Sequence, residues 1–387
     1  MKNFEFHNPT RIVFGADTVG KLASLVPADA RVLILYGGAS AEKTGTLAEV
    51  RAALAGRSVH EFGGIEPNPS YETLMRAVEQ VRRDQRDFLL AVGGGSVIDG
   101  TKFVAAAALY EGEAWDIAEQ GGANVTRALP FGAVLTLPAT GSEMNSGGVV
   151  TKKATQAKLA FRNTLLYPQF SILDPRKTYT LPGKQVANGL VDAFVHITEQ
   201  YLTYPVQARV QDRFAEGLLQ TLVEIAPQAM ASPDDYDTRA NLMWTATRAL
   251  NGLIGVGVPQ DWATHMIGHE LTALYDIDHA RTLALVLPAL LDVQREAKRD
   301  KLLQFGARVW HIDASHGDDD ARIDATIAAT RAFFEGLDIP TRLSAYGLGQ
   351  DAVEAVLKQL AAHGMTALGE HRDIDVARSR RILEAAL

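Results

Sequence analysis

Short apolar runs alternate with amphipathic stretches through the first half of this chain, and the alternation stops near residue 180. Val32–Tyr36 and Phe88–Val92 are unbroken apolar runs and Ala133–Leu137 is interrupted only by Thr136, the pattern of strands covered on both faces. Each ends in small residues: Gly37-Gly38-Ala39-Ser40, Gly93-Gly94-Gly95-Ser96 and Pro138-Ala139-Thr140-Gly141-Ser142. Between the runs, Glu42–Leu54 and Tyr71–Arg83 carry apolar positions at helical spacing. Such β/α alternation predicts a parallel sheet with helices on both faces, and these sheets bind ligands at the carboxyl ends of their strands, where the small-residue turns fall. After Leu173-Asp174-Pro175 the strand pattern fades. From about Pro182 the sequence reads as successive amphipathic helices, with breaks predicted at Pro205, Pro227, Pro259, Pro288 and Pro340. The chain is therefore read as an α/β domain over residues 1–180 followed by an all-helical domain over 181–387.

Composition narrows the function. With 387 residues, 47% of them hydrophobic, the chain can bury the cores of two domains. Lys and Arg total 38 against 46 for Asp and Glu, a net charge of −8, and no long run of like charge occurs, which argues against nucleic acid and anionic membrane as partners. There is no cysteine, so disulfides, thiolate zinc sites and a cysteine nucleophile are excluded, and imidazole and carboxylate are left as metal ligands. The N-terminus lacks an apolar signal core, and the longest apolar run, Leu283–Leu291, is too short to span a bilayer, so the expected location is the cytoplasm.

Two constellations carry chemistry. The first is Ala91-Val-Gly-Gly-Gly-Ser-Val-Ile-Asp-Gly-Thr-Lys102. Glycines directly after a strand let the backbone approach a ligand, and the helix that follows offers free N–H groups to a pyrophosphate. The string lacks the Gly-x-Gly-x-x-Gly spacing and reads Gly-Thr-Lys where a P-loop needs Gly-Lys-Ser/Thr, which argues against an NTPase. One glycine triplet could also serve a tight turn alone, but three small-residue turns on one sheet edge point to a nucleotide. The second constellation is a metal site. Asp192 and His196 stand one helical turn apart, as do His265 and His269, with His279 ten residues on. Spacing leaves open which of His265, His269 and His279 coordinate and whether Glu199 joins them. His311, Asp313 and His316 form a rival set in a Gly- and Ser-containing stretch that reads as a solvated loop.

Taken together, Val186-Ala-Asn-Gly-Leu-Val-Asp192-Ala-Phe-Val-His196-Ile-Thr-Glu199, His265-Met-Ile-Gly-His269, Asp278-His279, Pro67-Asn68-Pro69 and the Gly93–Lys102 string resemble the iron-containing (group III) alcohol dehydrogenases, over nearly the whole chain. Tyr36-Gly-Gly, Glu61-Phe-Gly-Gly-Ile-Glu-Pro-Asn-Pro69, Asn251-Gly-Leu-Ile-Gly and Pro259-Gln-Asp-Trp-Ala-Thr-His265 look like the family's bacterial NADPH-dependent aldehyde reductases and butanol dehydrogenases. The resemblance implies a Rossmann-like parallel-sheet domain and an all-helical domain (the dehydroquinate synthase-like fold), with dinucleotide and metal between them. It implies Asp192, His196, His265 and His279 as ligands of one divalent ion, Fe2+ or Zn2+, with His269 beside substrate and Glu199 in helix packing or salt bridging. It carries pyrophosphate to Gly94, Gly95 and Ser96, the ribose and nicotinamide half to Asp99 and Lys102, and further cofactor contacts to Thr136, Thr140, Ser142 and Lys158. It also implies a homodimer.

Cofactor preference is read from the first turn. An acidic residue there would hold an adenine ribose and repel a 2′-phosphate; Gly37-Gly38-Ala39-Ser40 has none, while Ser40 and Lys43 could meet a phosphate. NADP(H) is expected, and the reaction is aldehyde reduction to a primary alcohol and its reverse. His269 is the candidate proton donor to the nascent alkoxide. Trp262, Met266, Leu253, Ile254 and Phe194 are candidates for an apolar substrate slot taking short and medium-chain aldehydes. The competing readings are an NAD-dependent polyol dehydrogenase, a dehydroquinate-synthase-like lyase, and a non-catalytic metal- or nucleotide-binding protein.

Overall fold

Strands that are apolar at every position need cover on both sides, and the sheet supplies it. In a computed structural model, which describes residues Met1–Leu387, eight strands form: β1 (Arg11–Phe14), β2 (Arg31–Tyr36), β3 (Ser58–Phe62), β4 (Phe88–Gly94), β5 (Phe131–Leu137), β6 (Gly147–Lys152), β7 (Ala157–Arg162) and β8 (Phe170–Leu173). Six of them make one parallel sheet in the order β1-β8-β5-β4-β2-β3, and β6 and β7 pair as an antiparallel hairpin. Leu33, Leu35, Leu89 and Ala91 face one helical layer with Leu74, Val78 and Phe103; Val32, Ile34, Phe88, Leu90 and Val92 face the other with Leu47, Val50 and Leu54. This is the period-two alternation of a doubly covered sheet. The strands absent from the sequence reading are short or lie at edges, where half-exposed residues blur the pattern: β1 and β3 are the two edge strands.

The helix Tyr71–Arg83 has the bounds its periodicity predicts, and the Ser70 hydroxyl caps it by accepting from the Thr73 N–H. Glu42–Leu54, in contrast, is two helices, Ser40–Lys43 and Thr46–Ala53, because Gly45 between them takes a left-handed conformation (φ +77°).

The chain separates into two compact units, one of His7–Pro182 with Ser232–Asn251, the other of Met1–Phe6, Gly183–Ala231 and Gly252–Leu387. The segment 232–251, placed by a single cut near 180 with the helical half, thus belongs to the sheet unit. Its helix, Tyr236–Ala249, is tied there by the Thr247 hydroxyl donating to Glu143 and by Trp244 edge-on to Phe14 at 6.0 Å.

The second unit is helical. Pro205, Pro259 and Pro340 lie outside helices, but Pro227 lies inside Arg209–Ala231 and Pro288 inside His279–Val293, so two of the five predicted breaks do not occur. A proline costs a helix one hydrogen bond and about 3 kcal/mol. Pro288 is buried among Leu283, Leu285, Leu287, Leu290 and Leu291, and burying such side chains at roughly 1.5–3 kcal/mol each outweighs that loss. No helix is long and apolar enough to cross a membrane.

Candidate metal centre and nucleotide-binding turns

Three helices of the helical unit bring the candidate metal-ligating side chains together. Asp192 and His196 lie on one face of Gly183–Tyr201, His265 and His269 on Ala263–Tyr275, and His279 opens His279–Val293. The last two helices pack tightly because Gly268 faces Thr282 and Leu283; a Cβ at Gly268 would lie 3.0 Å from the Thr282 hydroxyl. One potential ligand atom from each of Asp192, His265 and His279 falls within 4.8 Å of the others. Asp192 Oδ1 is 3.7 Å from His196 Nδ1 and 3.8 Å from His279 Nε2, and the His196 ring stacks on His265 at 4.7 Å. Those separations are too long for hydrogen bonds, and Asp192 Oδ1 is buried with no hydrogen-bond partner. They are close to the ~3.4 Å between neighbouring ligands of a four-coordinate ion with bonds of about 2.1 Å. A buried carboxylate oxygen left unsatisfied among imidazoles fits a divalent cation. His269 stands beside the group, its ring 5.0 Å from His279 and 6.1 Å from His265.

Glu199 does more than pack its own helix. Its Oε2 pairs with His265 Nδ1, across to the second helix, and its Oε1 accepts from the Thr264 N–H at 2.7 Å. With Nδ1 engaged, His265 presents Nε2 to the cluster. Burial, with the Asp261 carboxylate as the next cause, raises the Glu199 carboxyl well above the usual carboxylate range. Glu199 continues the Asp192, His196 face by one more turn, and that i+7 position was its signal in the sequence; its partner, 66 residues on, left none.

The apolar candidates divide. The Trp262 ring lies edge-on to His265 at 5.3 Å and 6.2 Å from His196, with its indole N–H donated to Gln260 Oε1. Met266 follows on the same helix, Leu253 is half-buried and Ile254 is buried. Phe194 is not available to a slot: it is fully buried in an aromatic cluster with Phe305, Trp310, Phe333 and Phe334, because it faces away from Asp192 and His196 on their helix. The rival set is a loop feature; Asp313 and His316 are exposed and 3.4 Å apart, and Asp313 also accepts from the Ser315 N–H.

In the sheet unit the three small-residue turns do share an edge, since β2, β4 and β5 are parallel neighbours. From β2 the chain steps to β3 on one side and later to β5 and β8 on the other, so the turns after β2 and β4 flank the switch point where such sheets take ligands. Gly95 is required for packing: a Cβ there would lie 2.4 Å from the Thr140 hydroxyl, and one on Gly94 would lie 2.9 Å from Leu137 Cβ. The glycine backbone thus lies directly against the Leu137 and Thr140 side chains at the head of the helix Gly95–Ala107, leaving its first N–H groups at the strand ends. Thr136 and Thr140 are half-buried at the end of β5, and Ser96 accepts from the Asn68 N–H, whose side chain in turn accepts from Lys158 Nζ at 2.9 Å.

Lys102 and Ser142 are placed differently from the cofactor contacts expected of them. Lys102 is fully buried and donates to Ser142 Oγ (2.8 Å), Asn145 Oδ1 (2.9 Å) and the Gly147 carbonyl (2.6 Å), while Ser142 donates to Asp99 Oδ1 and the Val149 N–H to Asp99 Oδ2. The group pins the Gly-rich turn, the Thr140 turn and the β6–β7 hairpin to one another. Burial lowers the Lys102 pKa to about 8 against the opposing pull of Asp99 and Glu143. At the first turn Gly37 is half-buried, Gly38 and Ser40 are exposed, and the Glu42 carboxylate is held by Arg51 at 2.8 Å, which also grips Glu61.

Residues 9–175 match the family described as iron-containing alcohol dehydrogenase, and residues 186–387 match its C-terminal region. The chain is 60% identical over 388 residues, covering all of both proteins, to the NADPH-dependent aldehyde reductase YqhD of Escherichia coli K12. It is 39% identical over the full length of both to a probable NADH-dependent butanol dehydrogenase of Bacillus subtilis. The crystal structure of E. coli YqhD superposes with a TM-score of 0.98, covering 100% of this chain and 99% of that one. The NADH-dependent butanol dehydrogenase A of Thermotoga maritima superposes with a TM-score of 0.95 at 36% identity, with the same coverage.

Proposed function

The chain belongs to the iron-containing alcohol dehydrogenase family, and from that premise we propose that it reduces short and medium-chain aldehydes to primary alcohols with NADPH, and runs the reverse reaction. The observation that carries the reading is the buried Asp192 carboxylate facing three imidazoles, joined in one chain to a sheet edge built for a dinucleotide. When bound, the ion supplies Lewis acidity toward a carbonyl oxygen and NADPH supplies the hydride, so aldehyde, NADPH and one proton give alcohol and NADP+.

The chain's own residues set up that exchange. Asp192, His196, His265 and His279 would hold the ion; an Asp/His set of this kind suits iron or zinc. Gly94, Gly95 and Ser96 would cradle pyrophosphate against the helix N-terminus. Gly37 and Gly38 would admit the adenosine end. Ser40 and Lys43 flank Glu42, whose carboxylate is paired with Arg51 at 2.8 Å, and this pairing supports NADPH over NADH. Trp262, fixed by Gln260, and Met266 would give the aldehyde an apolar wall. His269, beside the ligand set, would hold the proton that the product oxygen takes up. Assembly as a homodimer is part of the same reading, and light scattering on the purified protein tests it.

Purified protein mixed with butanal and NADPH should consume the reduced nicotinamide, stop when a chelator removes the ion, and turn over NADH more slowly. No NADPH oxidation by the metal-loaded protein across several aldehydes would overturn the reading. His269→Ala should lower turnover by about 10²-fold and flatten its pH profile; unchanged turnover and profile would leave His269 no part in proton transfer.

A further inference from the structure

The helix that carries His265 begins without a cap of its own. Its leading residue, Trp262, is left-handed (φ +66°) and contributes no side-chain bond to the helix N–H groups. Two carboxylates from outside the helix take over. Asp261 Oδ1 accepts from the Ala263 N–H at 3.0 Å, and Glu199 Oε1 accepts from the Thr264 N–H at 2.7 Å. Anions at this end are favoured by the helix dipole as well as by the free N–H groups. The second oxygen of Glu199 holds His265 Nδ1.

These carboxylates are themselves anchored. The Asp261 N–H donates to the Glu199 carbonyl at 2.9 Å, and Asp261 Oδ2 meets Lys298 Nζ at 2.8 Å. Lys298 is almost wholly buried and also donates to the Leu202 carbonyl at 2.7 Å and to both oxygens of Glu370, at 2.8 and 2.9 Å. One ammonium therefore ties the end of the Asp192 helix, the entry to the His265 helix and the C-terminal segment around Glu370.

We propose, on the reading that His265 is a metal ligand, that Glu199 is a positioning residue which fixes the tautomer and orientation of His265, and that the buried Lys298–Asp261–Glu370 clamp holds Glu199 in place. A carboxylate that accepts from Nδ1 leaves Nε2 deprotonated and aimed, so the ligand set is formed before the ion arrives. Losing such a partner typically costs about 10–100-fold in metal affinity.

The test is Zn2+ affinity, measured by competition with a chromogenic chelator, together with the visible spectrum of the Co2+-loaded protein. Glu199→Gln should bind Zn2+ about 10–100-fold more weakly and show an altered Co2+ spectrum, and Glu370→Gln, which touches no ligand, should weaken binding by a smaller factor. Glu270→Gln is the matched control: it breaks a buried carboxylate–histidine pair on the same helix, with His363 at 2.7 Å, and should leave Zn2+ affinity unchanged. Wild-type affinity in Glu199→Gln, or equal losses in Glu199→Gln and Glu270→Gln, would overturn the positioning role. Wild-type affinity in Glu370→Gln would overturn the clamp. His265→Ala separates the two readings, since full Zn2+ binding without that imidazole would remove the metal site itself. If Glu199→Gln does not fold, Glu199→Asp, which keeps the charge and shortens the reach, gives the same readout.

Discussion

In the helical unit the candidate functional atoms belong to side chains: an aspartate and histidines from three helices, with a carboxylate behind one of them. In the sheet unit they belong to the backbone, and what matters at Gly94 and Gly95 is the missing Cβ. The first kind of site is sensitive to which chemical group stands at a position, the second to how much room a position leaves. Charge is handled differently too. Around the ligands, buried carboxylates outnumber the single buried ammonium of Lys298, as suits a cation; beneath the Gly-rich turn, Lys102 is enclosed by acceptors and leaves the surface of the turn to N–H groups.

The sharpest way to break the comparison is His265→Ala. It should release the ion and lower kcat/KM by about 10³-fold or more, roughly 4 kcal/mol, with metal content and turnover falling together. Turnover persisting in metal-free protein would place the chemistry elsewhere. Next in size is Lys102. Its folded-state pKa of about 8 lies below the 10.5 of an ordinary lysine, so between those values the unfolded chain holds more protons than the folded one. This group therefore adds stability as pH rises from 8 to 10.5, by about 3 kcal/mol at most. Urea unfolding at the two pH values should show the gain in the wild type and not in Lys102→Met; an equal gain in both would assign it to other groups.

Gly95→Ala should cost about 1–3 kcal/mol and raise the KM for NADPH while leaving metal affinity unchanged, because the new methyl meets Thr140. Loss of metal in that variant would mean that the two sites are not separable. The smallest effect belongs to Gly38→Ala. No atom lies within 4 Å of the new Cβ, so stability should change by no more than about 0.5 kcal/mol. A raised KM for NADPH at constant stability would show that the nucleotide itself needs the space.

The same contrast explains what could be read from the sequence. The candidate set could be drawn up because chemical type recurs at helical spacing in Asp192/His196 and His265/His269, with His279 nearby, and the resemblance then chose among the histidines. The Gly-rich turns were legible because three of them end apolar strands. For Glu199, expected in helix packing or salt bridging, the face could be seen but the salt-bridge partner on another helix, His265, could not. Phe194 looked like a pocket residue only because it neighbours Asp192 in sequence; a helix turns it to the opposite side. Lys102 matched a motif in type and position, yet its three acceptors come from Ser142–Gly147, and nothing local announces that fold-back. Pro227 and Pro288 failed as breaks because their local penalty is smaller than the packing of the helices that contain them.

Neither compact unit is a single stretch of chain. The sheet unit needs residues 232–251, and the helical unit begins with Met1–Phe6 and closes with the C-terminus. During synthesis, the sheet unit thus cannot complete its core until about residue 251 has left the ribosome, after the Asp192 helix has emerged but before His265 has. The first six residues must wait for Tyr204, Val206 and Gly257, to which they hydrogen-bond. A fragment cut at 182 would lack the helix that covers Glu143, and expressing either half alone should give a poorly folded product, however cleanly two domains seem to divide on paper.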